Sequence, residues 1–264
     1  MRGWWRELAG LVLPVDCAGC GAARVLLCPD CGDALSGAGA GPVRPSPRPE
    51  GLPVVHAAAA YEGGVRAALL AHKERGALPL AGALGGALAA AVLAGCGEPG
   101  AGAGAGVGAG VGAGMGELVL VPVPSTRRQV RARGHDPTRR IALAAAGRLR
   151  RAGVPARVAP VLRLRRAVAD QAGLGARQRR ENLDGALAVC RGGARLTAGA
   201  RLVLVDDLIT TGATLAEAAR ALRAAGPARG AAGAAGVAAA VVAAPAGAFG
   251  PVRSGTRTDQ KSCE

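Results

Sequence analysis

Short apolar runs alternate along this chain with longer stretches in which apolar residues return every three to four positions. The runs lie at residues 53–60 (PVVHAAAA), 117–121 (ELVLV), 202–205 (LVLV) and 236–244 (GVAAAVVAA). Each reads as a strand buried on both faces. Residues 158–164 read as a further strand or as one arm of a hairpin. Helical spacing marks 64–74, 79–94 and 137–151, the last with Asp136 as N-cap and Pro137 at the first helical position. A further helix starts near Thr214, carries Leu215, Ala218, Ala219 and Leu222 on one face, and stops at Gly226-Pro227. Residues 4–13 (WWRELAGLVL) read as a short amphipathic helix that both tryptophans anchor. Strands alternating with helices predict an α/β fold, a parallel sheet with helices on both faces.

Residues 201–226 are the most informative stretch. The strand is followed by Asp206-Asp207, then by Thr210-Thr211-Gly212-Ala213-Thr214, then by the helix. A loop at the carboxyl end of a parallel strand that feeds a helix N-terminus is suited to an anion, because free N–H groups and the helix dipole meet there. Gly212 allows close approach, and the threonine hydroxyls add donors. The two aspartates repel a phosphate. They suit hydroxyl groups such as a ribose diol, or a magnesium ion held through water. The order of apolar strand, acid pair and T-T-G-x-T resembles the loop with which type I phosphoribosyltransferases bind phosphoribosyl pyrophosphate (PRPP). No G-x-x-x-x-G-K-[ST] motif is present. The match Gly95-Gly97-Gly100 to G-x-G-x-x-G follows no strand, which excludes a dinucleotide reading.

Composition changes the picture in two ways. Half of the 264 residues are hydrophobic but only 2% are aromatic, so the core is packed with Ala, Val and Leu. The 33 basic residues outnumber the 18 acidic ones, for a net charge of +15. That excess favours polyanionic partners, either nucleic acid or a phosphorylated substrate. Only Lys73 and Lys261 among the basic residues are lysine. Lys73, near a helix end, is a candidate phosphate or pyrophosphate contact or simply a partner of the helix dipole. Residues 1–16 lack a small-residue cleavage site, so a cytoplasmic location is expected. The uncharged stretch 78–97 is rich in Ala and Gly and reads as a buried helix, not a membrane span.

Cys17-x-x-Cys20 and Cys28-x-x-Cys31 are paired knuckles at zinc-ligand spacing. They predict a closed structural zinc site within residues 1–35. The Gly/Pro-rich residues 36–52 read as a linker, 53–244 as the main domain with a Gly/Ala-rich insertion at 95–116, and 245–264 as a disordered tail.

Two further segments carry chemistry. After the second strand, Pro122-Val123-Pro124-Ser125-Thr126 leads into Arg127, Arg128, Arg131 and Arg133, whose planar guanidinium groups match phosphate oxygens. Residues 165–182 are polar, weakly periodic and read equally as a mobile lid or a solvated connector. V-P-V-P (121–124), R-x-R-G (131–134), D-Q-x-x-L-x-x-x-x-R-x-x-N (170–182) and L-V-D-D-x-x-T-T-G-A-T (204–214), all after a four-cysteine knuckle, resemble the ComF family. Its members are competence-associated proteins with a phosphoribosyltransferase fold. Arg133-Gly134-His135-Asp136-Pro137 stands where those members usually read R-G-F-N-Q.

The resemblance implies a type I phosphoribosyltransferase-like fold that binds PRPP with magnesium. Thr210, Thr211, Gly212, Ala213 and Thr214 would then hold the 5′-phosphate. Asp206 and Asp207 would hold the ribose hydroxyls and stabilise the cationic sugar. Ser125, Arg131 and Arg133, with Lys73, would grip the pyrophosphate. Gln171, Arg179 and Asn182 would lie on the lid over a base or amine acceptor. The alternative is a non-catalytic protein that handles single-stranded DNA, using the fold as a scaffold alongside DNA-uptake proteins. With two Trp, one Tyr and one Phe, it would bind through charge, not base stacking.

Overall fold

The computed structural model describes residues 16–96, 116–166, 183–226 and 237–250. Its centre is a six-stranded sheet in the order β1-β2-β8-β7-β3-β4. The strands are β1 (Gly41–Val43), β2 (Val55–Ala60), β3 (Leu118–Pro122), β4 (Ala156–Val158), β7 (Arg201–Leu208) and β8 (Ala238–Ala244). All neighbours are parallel except β1, which runs antiparallel to β2. A separate antiparallel pair joins β5 (Leu162–Leu164) to β6 (Leu187–Val189). The expected α/β architecture is therefore the observed one.

Side chains along each strand alternate between two cores, as the pleat requires. Leu118, Leu120, Val203, Val205 and Val242 face one core. There they meet α2 (Gly63–Glu74), α3 (Ala81–Cys96) and α5 (Pro137–Arg151). Val119, Val121, Leu204 and Val241 face the other core, together with α7 (Ala213–Ala224) and the β5–β6 hairpin. Alanine is a helix former, yet β8 (AAAVVAA) is a strand. Its backbone pairs on both sides, with β2 and β7, and its small side chains let α3 pack closely. Burial overrides propensity here.

Leu78–Cys96 is the one stretch among the described residues long and apolar enough to cross a membrane, and half of its most apolar window is buried inside the fold. Leu84, Leu88 and Val92 of α3 are in the core.

Four segments depart from the sequence-based expectation. β1 lies inside the 36–52 stretch read as linker, because its backbone completes the edge of the sheet beside β2. Residues 158–164 are divided: β4 ends at Val158 on the edge of the sheet, and Leu162–Leu164, as β5, is one arm of the antiparallel pair with β6. Arg127–Arg133, read for its phosphate-matching arginines and assigned no regular element, is the helix α4. Residues 245–250, read as the start of a tail, include a 3-10 turn at Ala246–Ala248, and Phe249 bridges to Val43.

Candidate functional site

Two adjacent parallel strands send their helices to opposite faces. After β3 the chain reaches α5 on one face, and after β7 it reaches α7 on the other. The carboxyl ends of two such strands open a crevice, the usual ligand position in parallel α/β sheets. Here that crevice is a cavity of about 770 Å³. Its walls include Tyr61 after β2, Ser125 and Thr126 after β3, Asp206 and Asp207 at the end of β7, and Lys73 and Glu74 at the end of α2.

The acid pair belongs to the strand itself and not to the loop after it, since β7 continues to Leu208. Asp207 is 5% exposed, and its Oδ2 accepts a 2.6 Å hydrogen bond from Lys73 Nζ. Burial is the largest influence on Lys73 and acts to lower its pKa. Asp207 and Asp206 outweigh it, so Lys73 stays above the ordinary lysine value and charged. Asp206 Oδ1 accepts the Asp207 N–H at 2.8 Å and lies 3.4 Å from the Thr138 hydroxyl that donates to it. Burial, and then the neighbouring Asp207 carboxylate, push Asp206 well above the ordinary carboxylate range. The pair is thus poised to receive a cation or hydroxyl donors, which would favour its ionised form.

Thr126 and Gln129 make α4 a helix. The Thr126 side chain accepts the Gln129 N–H at 3.2 Å, and the Gln129 side chain accepts the Thr126 N–H at 3.3 Å. This capping box satisfies two donors that a helix start would leave orphaned. The signal T-x-x-Q was present in the sequence. Helical geometry then sorts the arginines: Arg128 and Arg133 line the cavity with Gln129 and Ala132, while Arg131 is exposed outside the lining. Arg133 reaches Glu74 with both arms of its fork, Nε to Oε2 at 3.0 Å and Nη2 to Oε1 at 2.7 Å.

Of the threonine loop, Thr210 and Thr214 line the cavity, Thr211 and Gly212 make the turn, and Ala213 opens α7. Gly212 has φ +76°, and a Cβ there would stand 2.9 Å from Leu52 Cδ2. The glycine is required by backbone conformation and by its packing against the 36–52 segment. Gln171, Arg179 and Asn182 lie outside the described residues.

Periodicity did not reveal Glu74, Tyr61 or Thr138 as site residues. Thr138 had no local signal beyond its place after Asp136-Pro137. Where ComF members usually read F-N-Q, Asp136 accepts the Arg139 N–H at 3.1 Å as N-cap, and the His135 ring packs edge-on against His72, 5.6 Å between centroids. Burial lowers the His72 pKa.

The cysteines form a second centre. The sulfurs of Cys17, Cys20, Cys28 and Cys31 all lie within 4.8 Å of one another, and Cys20 and Cys28 are 3.5 Å apart. A zinc tetrahedron with bonds of about 2.3 Å has edges of about 3.8 Å. The donor set and its spacing therefore fit such an ion. The Cys28 N–H, which donates to the Cys17 sulfur at 3.2 Å, leads the influences that bring the Cys17 thiol down to about 6, whereas burial pushes Cys31 up.

Residues 162–257 match the family model of the phosphoribosyl transferase domain. That span runs from β5 past β8 and includes the acid pair and the threonine loop. With the sheet order and the crevice, it makes the fold type I phosphoribosyltransferase-like, joined to an N-terminal four-cysteine cluster able to hold a metal such as zinc. No curated protein matches the chain.

Proposed function

We propose that the cavity binds PRPP with magnesium and that the protein is a phosphoribosyltransferase of the ComF family. The observation that carries this reading is the pairing of the buried Asp207 with the half-buried Lys73, beside Asp206, in a cavity that also holds Thr210, Thr214, Ser125 and Arg133. The 5′-phosphate is held at the start of α7 by the N–H groups and hydroxyls of residues 210–214. Asp206 and Asp207 accept from the ribose hydroxyls and stabilise positive charge on the anomeric carbon. Lys73, Ser125 and Arg133, with Arg128 in place of the outward Arg131, take the pyrophosphate. Magnesium supplies neutralisation of the leaving pyrophosphate when bound. The zinc site is structural, with four protein ligands and no open position. Gln171, Arg179 and Asn182 remain assigned to the lid over a base or amine. A cytoplasmic location and a link to DNA uptake belong to this proposal through the resemblance to the ComF family.

Titration calorimetry with PRPP, with and without magnesium, tests this. Wild type should bind, and Asp207→Asn should lose binding with its circular dichroism unchanged. Equal affinity in the variant would remove the acid pair from the site. Release of pyrophosphate on adding bases or amines would establish turnover.

A second reading rests on the exposed Arg127, Arg128, Arg131, Arg139, Arg140 and Arg148 along α4 and α5. Such a surface suits a single-stranded nucleic acid held by charge, with affinity that falls steeply as salt rises. Absent or salt-insensitive binding of single-stranded DNA would refute it.

A further inference from the structure

Glu74 sits where helix physics disfavours it. It is the last residue of α2, at the negative end of the helix dipole, where a carboxylate is destabilising and cations such as His72 and Lys73 are favoured. It nevertheless lines the cavity and spans Arg133 with both oxygens, at 2.7 and 3.0 Å. That planar two-point grip is the one a guanidinium offers to a phosphate, so a carboxylate and a phosphate compete for the same fork. The two partners are unequally held. The Arg133 side chain is 15% exposed and the Glu74 side chain 47%. Arg133 closes α4 at a left-handed Gly134, whose N–H returns to the Val130 carbonyl. Glu74 can turn outward to water while Arg133 stays in place.

We propose that Glu74 sets the anion affinity and selectivity of this cavity: it occupies Arg133 in the free protein and must be displaced before a pyrophosphate group can bind. The proposal rests on the reading of the cavity as a pyrophosphate site. Lys73 is held in the same manner by Asp207, so this wall of the free cavity presents two neutralised cations. A singly charged anion gains little by replacing a carboxylate that is already in position. An anion with several oxygens and more than one charge gains enough to evict it. Glu74 thereby discriminates against monocarboxylates and chloride in favour of pyrophosphate and its esters.

The test uses the full chain and inorganic pyrophosphate as probe, by titration calorimetry, with circular dichroism confirming that each variant is folded. Removing a half-exposed competing ion pair frees up to about 1 kcal/mol, so Glu74→Gln should tighten pyrophosphate binding about fivefold. Glu74→Asp keeps the charge but is too short to span the fork, and it should tighten binding as well. In an Arg133→Ala background, Glu74→Gln should change nothing. Unchanged or weakened binding by Glu74→Gln, beside a wild type that binds, overturns the proposal and leaves the reading of the cavity standing. The same gain in the Arg133→Ala background, or a gain with Gln but none with Asp, reduces Glu74 to a through-space charge and also overturns it. Binding of pyrophosphate and PRPP by neither wild type nor variant removes the pyrophosphate site itself.

Discussion

Asp206 and Asp207 are adjacent in the chain, yet the fold treats them differently. Asp207 turns to Lys73 at 2.6 Å, whereas Asp206 accepts from a backbone N–H and the Thr138 hydroxyl. Burial and Asp207 therefore raise Asp206 above its ordinary value of 3.8. A carboxyl whose pKa is higher folded than unfolded binds more protons in the native state, so its contribution to stability falls as pH rises. The fall starts at about pH 4, near the unfolded value, and is complete above the raised folded value. Urea denaturation of the free protein across this range should show that decline, and Asp206→Asn should flatten it. Magnesium, which favours the ionised form, should bind more tightly as pH rises over the same interval. The motif pointed to Asp206, Asp207, Thr210 and Thr214, which line the cavity, but not to the side chains that meet them there. Nothing local in D-D-L-I-T-T-G says that Lys73, 134 positions away, occupies one of the two acids.

At the scale of elements, spacing was a good guide wherever burial and periodicity agree. The helix read at 137–151 is α5, and the strands read at 53–60, 117–121 and 236–244 are β2, β3 and β8 within a few residues. It failed where polarity masked a capped helix, as in α4, and where a Gly/Pro-rich segment lent three residues to a sheet edge, as in β1. The Gly/Ala-rich α3 shows what small residues do for element packing. A Cβ on Gly85 would stand 2.4 Å from Ala144 Cβ of α5, so the two helices meet through the absence of a side chain. Gly85→Val should force them apart and lower stability by roughly 1–3 kcal/mol, read as a lower urea midpoint with an unchanged m-value. An unchanged midpoint would mean that α3 and α5 can separate freely.

Over the whole molecule, the cysteine cluster and the cavity are joined by one helix. Gly19 and Gly64 crowd the Cys31 sulfur, since a Cβ on either would stand 2.5 or 2.9 Å from it. The cluster thus seats on the first turn of α2, whose last turn carries His72, Lys73 and Glu74. A metal that closes the four thiolates would fix the start of the helix that supplies one cavity wall. Elemental analysis should find one zinc per chain. Removing it with a chelator should lower the melting temperature, and restoring zinc should recover it, because a site formed only by the folded chain stabilises that state. A melting temperature indifferent to both treatments would make the cluster an ornament of the fold.

What the chain's own pattern determined is whatever depends on a few neighbouring residues: which runs are strands, where Asp136 starts a helix, that four cysteines in two C-x-x-C pairs can share an ion, and that an acid pair precedes a threonine loop. These follow from spacing, because local sterics and the 2.0 and 3.6 periods act over one or two turns. Strand order was beyond its reach, and with it the pairing of Lys73 with Asp207 and of Glu74 with Arg133, across 134 and 59 residues. Those contacts exist because β2, β8, β7 and β3 follow one another in the sheet and α2 packs across one face of it, so that its last turn meets the end of β7 and the helix after β3. That arrangement is settled by how the two cores fill and not by any local stretch of sequence.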